Sequence, residues 1–523
     1  MRPIRLLSGF LTVGLWTMLS RVLGFARDIV IAARLGDGPV GEAFIVAFAL
    51  PNMFRRFFAE GAFNMAFVPI FSKKLENGDD SEGFARDAAS GLAAILIVFT
   101  VVAQLAMPWL VLAMASGFAD DNRFVLGTDF GRVVFPYILF ISLAALLSGV
   151  LNATGRFVAA AAAPVLLNIV LIGAMALSGP MGWDFGWALA WAVPVAGIAQ
   201  LALVWWSAAR AGFRIIPRMP QMTPDLKRLA IVAGPAALAG GVIQINLLVG
   251  RQVASFFDGA IMYLNLADRL YQLPLGVVAI AIGVVLLPDL SRKLAAGDTD
   301  GGRDAMNRAA EFALLLTIPA AVALVVISLP IVSVLYQRGA FGADAAMATA
   351  WVTAIYGVGL PAFVLQKVLQ PLFFARHDTK SPFRYAVVAM IINAVIAIGL
   401  APVIGYLSAA LATTIAGWAM IWLLWRGSRA MGDAAQIDTR LGKQTGRIVA
   451  SSLIMGAILA AVEAALWPYF FADFVRYFAL TALVATGLVS YFIAARLTGA
   501  LDLSELRMAL RRSSPAAPDA TDG

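Results

Sequence analysis

The chain has 523 residues, 61% of them hydrophobic and only 13% charged, with a mean hydropathy of +0.85; this excludes large soluble domains and describes an integral membrane protein. Lys and Arg outnumber Asp and Glu by 39 to 31, a net charge of +8, which in such a protein marks cytoplasmic loops beside anionic lipid rather than nucleic-acid binding. The absence of cysteine excludes disulfides and thiolate or Cys-metal chemistry, and a single histidine, His377, argues against imidazole metal sites and a Ser-His-Asp triad.

Apolar runs of about twenty residues between short polar breaks predict an all-α polytopic protein of fourteen transmembrane helices. They begin near residues 8, 42, 88, 130, 158, 185, 229, 260, 309, 346, 385, 405, 447 and 474. Met1–Ser20 has the basic start and apolar run of a signal peptide, but no small-x-small cleavage site follows and Arg21 continues into more helix, so it reads as the first span. The inter-helix loops alternate sharply in charge. The N-terminus, the even-numbered loops and the tail after Arg496 hold 27 basic residues, and the opposite set holds three, Arg123, Arg338 and Arg476. The positive-inside rule then places both termini in the cytoplasm. The end of the tail, Ser513–Gly523, is rich in Ser, Ala, Pro and Asp and reads as disordered.

The chain also repeats itself. FVPIFSKKLENGD at Phe67–Asp79 returns as LLPDLSRKLAAGD at Leu286–Asp298, a shift of 219, and Pro136 precedes Asn168 by the same 32 residues that separate Pro361 from Asn393. These repeats divide the chain into two six-helix lobes, 1–220 and 221–432, followed by two extra helices in 433–500 and a cytoplasmic tail, 501–523. Six helices per lobe return the chain to its starting side. The lobes should therefore be related by an axis along the membrane normal, an arrangement used by transporters.

Nine basic residues fall inside predicted spans: Arg21, Arg27, Arg34, Arg55, Arg56, Arg132, Arg251, Arg269 and Lys367. Arg34, Arg132 and Arg251 lie near helix ends, where they can snorkel to the headgroups. The other six would cost on the order of 15–20 kcal/mol if they faced lipid, so they must face water, counter-ions or an anionic ligand. Asp28, Glu60 and Asp268 are placed to pair with Arg27, Arg56 and Arg269, which keeps structural ion pairing open as an alternative. Deep bases outnumber deep acids, however, and a cationic cavity follows. Arginine's planar fork suits phosphate oxygens.

The segments SRVLGFARD (Ser20–Asp28), LPNMFRRFFAEGAFNMAFVPIF (Leu50–Phe71) and ADRLYQLPLGVVAIAIGVVLLPDLS (Ala267–Ser291) closely resemble the MurJ/MviN family of lipid II flippases, within the multidrug/oligosaccharidyl-lipid/polysaccharide exporter superfamily. The resemblance covers nearly the whole chain. It implies a multi-pass protein of the bacterial cytoplasmic (inner) membrane that moves lipid II, the undecaprenyl-diphosphate-linked disaccharide pentapeptide, to the outer leaflet for peptidoglycan synthesis. The extra helices 13 and 14 would form a groove for its lipid tail. Arg21, Arg27, Arg55 and Arg269 fall on the family's cavity arginines, and Glu60 and Glu42 on acidic gating positions; Asp28, Arg56 and Asp268 complete the candidate ion-pair set. Gln272 stands where some relatives carry an acid, which puts an ion-pair gate there in doubt.

The resemblance implies lipid II and membrane lipids as partners, with other cell-wall synthesis proteins as further candidates. It implies no cofactor, and a coupling ion or the membrane potential cannot be assigned from the residues. The rival readings are a polysaccharide-lipid flippase or drug exporter of the same architecture, and a membrane enzyme acting on polyprenyl phosphate. The enzyme rests on Asp120-Asp121, in a loop predicted outside. His377, in a cytoplasmic loop, reads as a solvated turn.

Overall fold

In a computed structural model, the structure describes residues 3–55, 62–231, 248–432 and 435–501. Every named element among them is helical, and the β structure is an isolated bridge between Arg338 and Phe341. In chain order the helices are α1 (Pro3–Leu35), α2 (Pro39–Arg55), α3 (Ala62–Asn77), α4 (Ser81–Leu105), α5 (Met107–Met114), α6 (Asn122–Val134), α7 (Tyr137–Ala153), α8 (Val158–Met181) and α9 (Phe185–Arg210). After the residues that lie outside the description come α10 (Ala260–Ala295), α11 (Thr299–Val326), α12 (Ser328–Tyr336), α13 (Ala343–Phe374), α14 (Lys380–Ile404), α15 (Leu407–Ser428), α16 (Thr439–Leu466) and α17 (Val475–Leu497).

Ten helical stretches among the described residues are long and apolar enough to cross a membrane. They correspond to ten of the fourteen predicted spans, those beginning near 88, 130, 158, 185, 309, 346, 385, 405, 447 and 474. Of the other four, α1, α2 and α10 are helices that carry Arg21, Arg27, Arg55 and Arg269. The segment predicted from 229 lies outside the described residues over 232–247. Several helices start about two turns before their apolar run. The reason is capping: Asp80, Asp121, Asp298 and Asp438 accept backbone N–H groups of Gly83, Arg123, Gly301 and Leu441, satisfying donors that the first turn leaves orphaned.

The repeated Gly-Asp turn has a structural basis. Gly78 and Gly297 both take φ of +73°, a conformation that ends a helix and favours glycine, and an aspartate then caps the next helix. The capping residue is Asp80 in the first copy and Asp298 in the second, a slip of one residue from the sequence match of Asp79 with Asp298.

By contacts the chain forms two compact units. One comprises Met1–Leu266, Leu335–Thr349 and Asn393–Ala412, and the other Ala267–Val334, Ala350–Ile392 and Thr413–Gly523. In the first, α8 packs on both α1 and α9, and α2 on α6. In the second, Leu286, Leu314, Leu360, Val364 and Leu424 share a core, and α16 packs on α11 and α17. Large apolar side chains also cover the outside. Along α14, Phe383, Ile391, Val395, Ile398 and Val403 are all exposed, a surface that water does not tolerate and hydrocarbon does.

Each unit ties a connecting segment back to a helix start. After α9, the Arg218 Nε donates to Asp87 on α4 at 2.7 Å and its backbone N–H to Ser90 at 2.8 Å, while Lys74 pairs with Asp225 at 2.8 Å. That hydrogen bond holds the Lys74 ammonium above its usual range. After α15, Asn307 on α11 donates to the Gln436 carbonyl at 2.9 Å and accepts from the Asp438 N–H at 3.1 Å, and Arg308 bridges Glu311 and Asp438.

Candidate functional site

On α1, Arg21 is exposed, whereas Arg27 and Asp28 are buried. The Arg27 Nε and Nη2 donate to one oxygen of Asp28 at 3.0 and 2.7 Å, and Nη1 donates to the Asn168 Oδ1 at 3.1 Å. Asn168, on α8, turns its Nδ2 to the carbonyls of Ser20 and Pro164 at 3.0 and 3.3 Å. Arg27 therefore sits as the cationic half of a buried ion pair, and Asn168 locks α1 against α8. Such pairing offsets the desolvation that a lone guanidinium would suffer. The pairing alternative that the sequence left open is realised here for Arg27.

Arg55 ends α2 and is half-buried; Arg56 and Glu60 lie outside the described residues. Arg269 and Asp268 are adjacent on α10, both half-buried. Gln272, one turn on, donates its amide to Asp268 and is an uncharged partner where an acid would repel Asp268. Arg21, Arg27 and Arg55 belong to the first unit and Arg269 to the second. Among the described residues no three His, Asp or Glu side chains gather as a metal ion would require.

A buried ionic cluster lies elsewhere in the first unit, among the base-poor loop ends. Glu42, on α2, is 1% exposed and accepts from the Arg123 Nη1 at 2.8 Å and from the Ile261 N–H at 3.0 Å. Arg123 also reaches Asp121 at 2.7 Å and Asp258 at 3.3 Å, and its guanidinium lies 4.5 Å from the Phe118 ring centroid. Beside it, the Tyr263 hydroxyl donates to Asp37 at 2.5 Å. Residues 37, 42 and 123 are thereby bound to residues 258–263, more than a hundred positions later. Of this cluster, the sequence singled out Glu42 as a gating acid and Asp121 only as half of an acidic motif. Arg123 carried a usable signal, being one of three bases on a side otherwise cleared of them, and an isolated base in such a loop needs acidic partners.

A second feature belongs to α16 and α17 alone. Between them runs a groove of about 570 Å³ lined by Ile454, Ile458, Val489, Ile493 and Leu497, with a few small or hydroxyl-bearing residues. It lies in the half of α17 nearer the chain's end.

A family model for lipid II flippase MurJ matches residues 31–485. The chain belongs to the lipid II flippase MurJ family. A probable lipid II flippase MurJ of Rhizobium tropici is 44% identical over 98% of this chain and 98% of its own length. One from Rhizobium meliloti (strain 1021) is 42% identical over 98% and 97%. Among solved structures, a lipid II flippase MurJ in an inward closed conformation superposes with a TM-score of 0.77 at 25% identity, covering 93% of this chain and 98% of that one. An inward-facing multidrug resistance MATE family transporter of the MOP superfamily reaches 0.66 at 14% identity over 81% of this chain and 98% of its own, which shows the shared fold alone. The resemblance in the arginine-bearing segments of α1, α2 and α10 is thus part of a whole-length MurJ likeness, and the helical membrane fold expected from it is the one observed.

Proposed function

We propose that the chain flips lipid II across the cytoplasmic membrane, with the base-rich loops and both termini in the cytoplasm and the base-poor ends outside. The observation that carries this reading is the whole-length likeness to proteins named as lipid II flippases. The chemistry of the residues supports it. A diphosphate-sugar headgroup crosses hydrocarbon only where fixed cations replace its water, and Arg21, Arg27, Arg55 and Arg269 are proposed to hold the diphosphate. Three of the five N–H donors of Arg27 are committed to Asp28 and Asn168. Residues 1–220 and 221–432 act as two lobes whose alternating access carries the headgroup across. No covalent step and no cofactor is needed. Glu42 gates the outer end through Arg123, and Asp28, Arg56, Glu60 and Asp268 balance charge near the arginines.

Reconstituted vesicles test the reading directly: labelled lipid II should be flipped, and an uncharged polyprenol should not. Arg55→Ala and Arg269→Ala should insert at normal levels and lose roughly tenfold to hundredfold of that rate, the worth of one charge-assisted hydrogen bond. Full rates in both would overturn the diphosphate assignment.

The groove between α16 and α17 is proposed to carry the prenyl tail. Ile493→Asp adds an anion to an apolar wall at a cost of about 2.5–3.5 kcal/mol. It should slow transport of the prenyl lipid while sparing a short-chain analogue; equal losses for both would count against the groove.

A further inference from the structure

At the base-poor end of the first unit, segments far apart in the chain meet backbone to backbone, and three glycines occupy points of close approach. A Cβ added at Gly339 would stand 2.2 Å from the Ala33 carbonyl oxygen, one at Gly36 2.5 Å from the Ala340 carbonyl oxygen, and one at Gly117 2.5 Å from the carbonyl of Ser255. All three obstacles are backbone, which cannot swing aside as a side-chain tip can. The contacts are sealed by hydrogen bonds: the Ala340 N–H donates to the Ala33 carbonyl at 2.9 Å and the Gly117 N–H to the Ser255 Oγ at 2.9 Å. The Ser116 N–H and hydroxyl both donate to the Gln252 Oε1, at 2.7 and 2.8 Å, and the Gln252 amide returns to the carbonyls of Leu112 and Ala113.

We infer that this glycine seam sets how firmly the outer end closes during the transport cycle. The inference rests on the alternating-access reading, since only then must the seam part. Gly36 and Gly339 have φ of +61° and +57°, so a side chain there would strain the backbone as well as meet a neighbour. Gly117 is different. Its φ is not in the left-handed region, and the Ser255 backbone is the obstacle to a side chain. Once residues 116–117 and 252–255 separate, a methyl group at 117 no longer meets that backbone. Gly117→Ala therefore raises the energy of the closed arrangement selectively and moves the population toward the outward-open one.

The chain has no cysteine, so Ala260→Cys supplies a single reporter at a fully buried position beside the cluster. In nanodiscs, where both faces are accessible, a water-soluble maleimide should label Ala260→Cys roughly tenfold or more faster when Gly117→Ala is added, as a closed state weakened by overpacking requires. Gly179→Ala, at a helical glycine with nothing within 4 Å of the added Cβ, should leave the rate unchanged. Gln252→Ala adds no atoms and removes the adjoining hydrogen bonds, and should raise the rate to a smaller extent; it decides the matter if Gly117→Ala does not accumulate. An unchanged rate in either seam variant overturns the inference. Lipid II flipping by the otherwise unsubstituted chain, measured separately, reports on the transport reading, so failure of one is distinguishable from failure of the other.

Discussion

Arg27→Ala should lower the amount of folded protein in the membrane, and adding Asp28→Asn should restore it. The Arg27 and Asp28 side chains are 8% and 6% exposed, and the guanidinium supplies two hydrogen bonds to one carboxylate oxygen. Removing one member of such a buried pair costs about 3–5 kcal/mol, because the other is left desolvated without its counter-charge. Neutralising Asp28 removes most of that penalty. Transport, by contrast, should stay lost in the double variant, as the proposed assignment of Arg27 to the diphosphate requires. The measurements are protein level and lipid II flipping on the same membranes. Recovery of both would reassign Arg27 to folding alone.

Arg123→Ala should produce the second large effect. Glu42 is nearly inaccessible, and Arg123 is its charged partner as well as the link to Asp121 and Asp258. Loss of the guanidinium should destabilise this end by about 3–5 kcal/mol. The thermal midpoint in detergent should fall, and buried positions beside the cluster should become reactive. Arg123→Lys should recover only part of the loss, since one ammonium cannot reproduce a planar fork shared among three carboxylates. Adding Glu42→Gln to Arg123→Ala should restore most of the midpoint, since a neutral side chain tolerates the burial better. No rescue would mean that the packing of Arg123 on Phe118, rather than its charge, holds the end together.

Much of the molecule follows from local rules. Runs of about twenty apolar residues set where helices cross, aspartates and glycines at the loop ends set where they start and stop, and the loop charges separate one end of the helices from the other. Those signals act within a few turns of chain, so a single sequence displays them. The whole-length MurJ likeness was visible in the same way, through Ser20–Asp28, Leu50–Phe71 and Ala267–Ser291. Partnerships between distant residues were not. Asn168 stood out only as a repeated asparagine, and its bond to Arg27 spans 141 positions; Glu42 meets Arg123 across 81 and Ile261 across 219. A charge inside an apolar helix announces that it needs a partner, but several acids lie within reach on paper, and only packing selects one. The same holds for Gly117, one glycine among 46, whose need to lack a side chain arises from the Ser255 backbone pressed against it. Composition and period determined the spans, and the resemblance of three segments pointed to the family; tertiary contact decided which charges neutralise one another and which glycines cannot be replaced, because desolvation and steric exclusion depend on neighbours in space rather than along the chain.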